Sequence, residues 1–268
     1  MKISVCGKGG SGKSTVVALL AKAAQQKELS VVVIDSDESN SSLFRMLGFD
    51  HPPAPLLEMV GGKTMLKEKM KSSDVLSRTQ VSVDDLPIDH LQRKDHLSLV
   101  SIGKILQSLE GCACPMGVLS REFLKKLWLP EKTIAIIDME AGIEHFGRGI
   151  DQFIDKVLLV VEPSYESMVM ASKIRDLAAG IQKEVAVVLN KMPSEKIRTK
   201  VESALKQQRL ELIGAVPEDP EVFEAGLEGR QLEWGKALDA AADVLDRLII
   251  QQREANCGGT DVFGGRLP

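Results

Sequence analysis

Residues 7–15 read GKGGSGKST, between a short β-prone run, Lys2-Ile3-Ser4-Val5-Cys6, and a stretch from Ser14 to Lys27 with apolar residues at helical spacing. Strand, glycine-rich turn and helix in that order form a P-loop. Successive backbone N–H groups then face one concavity, the glycines let the chain close around phosphate, and the helix N-terminus adds positive potential. Gly9, Gly10, Ser11 and Gly12 are the expected cradle and Lys13 the cation on the β/γ-phosphates, with Thr15 completing the motif. Ser14 supplies a hydroxyl for Mg²⁺, a hard ion that keeps oxygen ligands. Lys8 is a second lysine near the start of the loop; beside Lys13 it would be crowded, so it is expected to point outward.

Outward from the loop, 268 residues at 44% hydrophobic content suffice for one large α/β domain. β-branched or leucine-rich runs recur at 31–34, 97–102, 133–137, 157–161, 185–189 and 211–215, most of them separated by amphipathic stretches. That alternation predicts a doubly wound, mostly parallel sheet with helices on both faces and ligands at the carboxyl ends of the strands. A last helix is expected over about 235–252. A single domain over 1–254 is expected to carry a variable insertion at about 50–96, compatible with a short hairpin around 79–83, and to end in a flexible tail over 255–268.

The net charge of −4 and a pI near 5.7 argue against a general nucleic-acid or acidic-lipid binder. With no apolar run near the length of a membrane span and no signal-peptide pattern, the sequence predicts a cytoplasmic protein. Four cysteines, two of them at i and i+2, favour metal or redox chemistry over a disulfide framework.

Three further stretches carry chemistry. The second strand ends in Asp35-Ser36-Asp37-Glu38-Ser39-Asn40, bringing carboxylates to the same sheet edge as the loop. Thr133-Ile134-Ala135-Ile136-Ile137 delivers Asp138, followed by MEAGIEHFGRG, a Walker B arrangement in which a carboxylate can hold a Mg²⁺-bound water and Gly142 can swing toward a γ-phosphate. Cys112-Ala113-Cys114, inside GCACPMG, offers two thiolates to one soft or borderline metal, half of a tetrahedral shell that a second copy of the chain would complete. A redox pair and two unrelated thiols are the other readings of those cysteines. In a tetrahedral thiolate site, thermodynamics alone favours Zn²⁺ over Ni²⁺.

The two-lysine loop resembles the deviant Walker A loop of the MinD, ParA and nitrogenase iron protein superfamily. The resemblance implies that Lys8 reaches the nucleotide of a partner subunit, that Asp37 lies in switch I and orients water, and that Asp35 supports Mg²⁺ or the loop. It further implies that Asn190, in VVLNKM, and Pro217-Glu218-Asp219 frame adenine, so that ATP is the nucleotide. With C-x-C after the third strand and DMEAGIEHFGRG at switch II, the chain is similar more narrowly to the CooC-type ATPases that mature nickel-containing carbon monoxide dehydrogenase. That likeness implies a homodimer bridging Ni²⁺ or Zn²⁺ through Cys112 and Cys114, with the dehydrogenase apoprotein as partner; the glycine-rich, nearly uncharged tail argues against a membrane partner and the overall acidity against nucleic acid. The alternatives are a ParA or MinD-type positioning ATPase and the related maturation ATPase for acetyl-CoA synthase. His145 is expected to be a plain switch residue rather than a nickel ligand.

Overall fold

The computed structural model describes residues 1–40, 42–71, 75–104 and 114–257, with the side chains of 114, 256 and 257 outside the description. In chain order the elements are β1 (Lys2–Gly7), α1 (Lys13–Gln26), β2 (Ser30–Asp35), α2 (Leu43–Met46), α3 (Leu56–Met59), α4 (Gly62–Lys71), β3 (Gln92–Lys94) and β4 (Leu97–Ser101). They continue as α5 (Cys114–Lys126), β5 (Thr133–Asp138), α6 (Glu144–Gly147), β6 (Lys156–Val161), α7 (Tyr165–Gly180), β7 (Val185–Asn190), α8 (Glu195–Gln207), β8 (Glu211–Val216), α9 (Pro220–Glu228) and α10 (Lys236–Cys257).

The strands lie in the order β3-β4-β2-β5-β1-β6-β7-β8. Every neighbouring pair is parallel except β3–β4, which is antiparallel. Sequential strands separated by helices must cross over, and crossovers in both directions from β1 cover both faces. Alternation along the strands divides the core accordingly. Ile3, Val5, Val33, Ile136 and Val160 pack with Val16, Leu20 and Leu245, on the side of α1 and α10. Ile34, Val100, Ile137 and Leu159 pack with Phe123, Ile174 and Leu205, on the side of α5, α7 and α8. Strands buried on both faces explain why these runs are nearly all aliphatic.

The six expected strands are present with ends moved by a residue or so, and the fold is the doubly wound α/β architecture. Two expectations need correction. The insertion has no hairpin at 79–83: Val81 makes one isolated bridge to Leu127, and 83–85 is a 3₁₀ turn capped by Ser82. The hairpin is β3–β4, turned at Asp95 in the left-handed conformation (φ 52°). The exposed polar run Gln92-Arg93-Lys94 hid its edge strand from a hydrophobicity reading, as edge strands often do. The last helix, expected to end at about residue 252, runs Lys236–Cys257, so its end falls later than expected.

Candidate active site

β1 is a central strand, and the loop after it projects from the middle of the carboxyl edge of the sheet. Ser11 N–H donates to the Lys8 carbonyl (3.1 Å) and Val16 N–H to the Gly12 carbonyl (3.0 Å), closing the turn and starting α1. Gly12 is the N-cap of α1, in left-handed backbone (φ 91°), with no side-chain cap and no acidic residue in the first turn. The first amides of α1 are thus left for an anion. A Cβ at Gly12 would lie 2.3 Å from the Asn190 amide nitrogen, so both the φ and the neighbour require glycine there.

Below the loop, three side chains from three segments converge. The Ser14 hydroxyl donates to Asp138 Oδ2 (2.6 Å), and the Asn40 amide donates to Ser14 Oγ (2.6 Å) and to Asp138 Oδ2 (3.3 Å). Asp138 is fully buried and its other oxygen, Oδ1, has no partner among the described residues. Burial, only partly offset by the Ser14 hydrogen bond, pushes its carboxyl up to about 7. An orphaned buried carboxylate oxygen beside a hydroxyl is a hard-oxygen donor set that fits Mg²⁺. Ser14 and Asp138 are the residues that would hold the ion.

Asp35 and Asp138 are register partners at the ends of β2 and β5. Asp35 is also buried, paired with Lys104 (Nζ–Oδ2 2.6 Å), and burial raises its carboxyl to about 6 despite that lysine. Asp37 is 8% exposed and spends its carboxylate on its own turn, accepting from Ser39 N–H (2.9 Å) and Ser39 Oγ (2.7 Å). Lys13 is buried beneath the loop, with a long contact from Nζ to the Lys8 carbonyl (3.4 Å). Lys8 is not a free outward finger in this chain. Its ammonium pairs with Glu162 just past β6 (2.8 Å), which raises the lysine pKa and lowers that of the glutamate.

The residues expected to frame a base do share a cavity. Thr15, Asn190, Lys191, Val216, Pro217, Glu218, Asp219, Pro220, Val222 and Phe223 line about 660 Å³ beside the loop, a volume suited to a nucleoside. Asn190 also braces the loop through Nδ2–H to the Ser11 carbonyl (2.8 Å), and Lys191 donates to the Gly10 carbonyl (2.6 Å). Asp219 caps α9 through Glu221 N–H (3.1 Å) and accepts from Ala237 N–H (2.9 Å), so its carboxylate serves the scaffold.

The glycine-flanked segment after Asp138 folds back onto the loop, Gly142 N–H reaching the Gly7 carbonyl (3.3 Å). His145 is fully buried, its Nδ1 2.6 Å from Asp151, which also accepts from Ser4 Oγ (3.1 Å). Cys112 lies outside the described residues and Cys114 is described only as the start of α5. Among the described residues no cluster of three or more His, Cys, Asp or Glu side chains is arranged to hold a metal. Cys6 is core, its thiol pushed up by burial. Sequence reading missed Asn40, Lys104, Glu162 and Lys191 as members of the site. All four stand next to or near strand ends at the same sheet edge, which was the available signal.

The sequence model of the CobQ/CobB/MinD/ParA nucleotide binding domain matches residues 3–232. An uncharacterized ATP-binding protein of Methanocaldococcus jannaschii is 43% identical over 87% of this chain and 94% of its own. The carbon monoxide dehydrogenase accessory protein CooC of Rhodospirillum rubrum is 32% identical, over 85% of this chain and 89% of its own. Among solved structures, the MinD cell division protein of Aquifex aeolicus superposes with a TM-score of 0.66 at 21% identity, covering 100% of this chain and 98% of that one. That likeness shows the fold.

Proposed function

The chain belongs to the CobQ/CobB/MinD/ParA nucleotide-binding family as a nucleotide-driven ATPase, and on that premise we propose that it is an ATP-driven switch that closes as a homodimer and serves nickel delivery to carbon monoxide dehydrogenase. The observation that carries the ATPase part is the Ser14–Asp138–Asn40 trio directly under the loop. The triphosphate lies on the loop amides and Lys13, the base enters the cavity at Asn190 and Pro217, and Asp37 leaves its Ser39 turn to orient the attacking water. When bound, Mg²⁺ offsets phosphate charge and aligns the γ-phosphoryl for in-line attack. Asp138 and Ser14 keep that end of the site dry and oxygen-lined. Lys8 exchanges Glu162 for the nucleotide of the facing subunit, so hydrolysis requires the dimer.

The nickel reading is supported by the likeness to the accessory protein CooC and by Cys112 and Cys114, which a symmetric dimer would combine into one four-thiolate site. Nickel or zinc is the cargo at that seam, and linkage requires ATP and metal to tighten each other's binding by one factor. Metal titration of the wild type against the Cys112→Ala/Cys114→Ala variant tests it. Half a metal per chain, lost in the variant, is expected; equal metal affinity with and without a non-hydrolysable ATP analogue, in a protein equally dimeric in both states, overturns it.

A second reading, a positioning ATPase, has the broader backing of the comparisons, because the fold is that of the MinD cell division protein over the whole chain. Among the described residues no helix is long and apolar enough to cross a membrane. ATP-dependent co-sedimentation with anionic vesicles or duplex DNA, at unchanged metal content, would favour this reading over the first.

A further inference from the structure

Lys104 follows β4, which two strands, β2 and β5, separate from the loop strand β1, and nothing in the P-loop motif accounts for it. Its side chain is only 15% exposed and that of Asp35 9%. A lysine so far out of water needs charge or hydrogen-bond partners, and among the described residues Lys104 has two. Nζ pairs with Asp35 Oδ2 at 2.6 Å and donates a short hydrogen bond to the backbone carbonyl of Asp37. One ammonium thus spans from the last residue of β2 to the peptide that carries the water-orienting carboxylate.

Other tethers on this segment leave Asp37 undetermined. Ser36 is fixed, its N–H on the Asp138 carbonyl (3.0 Å) and its hydroxyl on Ser120 Oγ (2.9 Å). Beyond it, among the described residues the Asp37 carboxylate bonds only to Ser39, two residues away and part of the same turn. A turn held by its own side chain is locally shaped yet free to swing as a unit, and a carbonyl clamp at its first corner removes that freedom.

We propose that Lys104 is a positioning residue for ATP hydrolysis, holding the Asp37 peptide at the end of β2 so that the Asp37 side chain can reach the attacking water. The proposal rests on the reading of Asp37 as the group that orients water. Because Lys104 touches neither the loop nor the base cavity, its loss leaves nucleotide binding intact and lowers turnover.

The test is steady-state ATPase kinetics of the full chain in Lys104→Gln, Lys104→Arg, Asp37→Asn and the double variant Asp37→Asn/Lys104→Gln. Misplacement of a reacting group by about 1 Å costs on the order of 10²-fold. Lys104→Gln is expected to lose about that much in kcat with KM for ATP changed less than about twofold, and Lys104→Arg, which keeps charge and donors, to recover most of it. The double variant is expected to be no slower than Asp37→Asn alone. Wild-type kcat in Lys104→Gln overturns the proposal, as does a double variant slowed by the full product of the two single effects. A merely structural role would raise KM and lower the melting temperature together with kcat, without recovery by arginine, and that result also overturns it. If Asp37→Asn turns over normally, the underlying reading of Asp37 fails instead; the proposal falls with it even where Lys104→Gln is slow.

Discussion

Asp37 accepts both hydrogen bonds from Ser39, so the side chain expected to orient water is engaged in its own turn. Asp37→Ala is expected to abolish ATP turnover while ATP still binds, measured by hydrolysis and by calorimetric titration in parallel; unchanged turnover would remove Asp37 from the mechanism. Next to it, Glu38 is buried near Glu140 and 3.8 Å from Arg148. Burial first, and then repulsion from Glu140, lift its carboxyl to about 7, with Arg148 pulling the other way. The folded-state value lies above the unfolded one, 4.5. As pH rises between those values the unfolded chain gives up its proton first, so folding loses stability across that window. Glu38→Gln should therefore melt like the wild type near the bottom of the window and about 2–4 °C higher above it for each kcal/mol relieved, read by thermal unfolding at several pH values. Asp138 could be anticipated because it ends a hydrophobic run, and Asp37 because it stands two residues past the end of another. The clamp on them by Lys104 and Asn40 could not, since it depends on which strands lie side by side.

The elements themselves were the most legible level. Aliphatic runs of five or six residues can be satisfied only by a sheet covered on both faces, and amphipathic stretches between them supply the cover. What failed was the polar edge: Gln92-Arg93-Lys94 has no apolar period, and its pairing to β4 is set by a left-handed turn at Asp95 rather than by burial. The loop-to-helix junction illustrates how an element end becomes a site. Gly12 combines a left-handed backbone with an Asn190 amide where a Cβ would go. Gly12→Ala must pay at least the left-handed penalty of about 1–2 kcal/mol, and either Asn190 or the loop has to move. Calorimetric titration should show ATP affinity falling about tenfold or more, the equivalent of about 1.4 kcal/mol; unchanged affinity would mean that the loop adapts at no cost.

At the scale of the whole molecule, one sheet separates two cores, and the site occupies the edge where both end. Phe123 of α5 is fully buried in the core on the side away from α1. Phe123→Ala should cost about 3–5 kcal/mol, measured by urea unfolding, a loss large enough to disturb the helix that Cys114 begins. The proposed pairing of two chains is suggested in the sequence only by Lys8 and the cysteine pair, because a dimer leaves no periodicity in a sequence.

The pairing of Lys8 with Glu162 alters what assembly means for this chain. If Lys8 engages a facing nucleotide, it does so by partner exchange, surrendering one carboxylate as it gains a phosphate. An exchange conserves the number of ion pairs, so added salt weakens both sides of the equilibrium and much of its effect cancels. Dimerisation should then depend on ionic strength less steeply in the wild type than in Glu162→Gln, where the lysine starts out hydrated and unpaired from that glutamate. Sedimentation velocity across a salt series would measure the two slopes. Equal slopes would mean that the carboxylate exerts no hold on the lysine before the subunits meet.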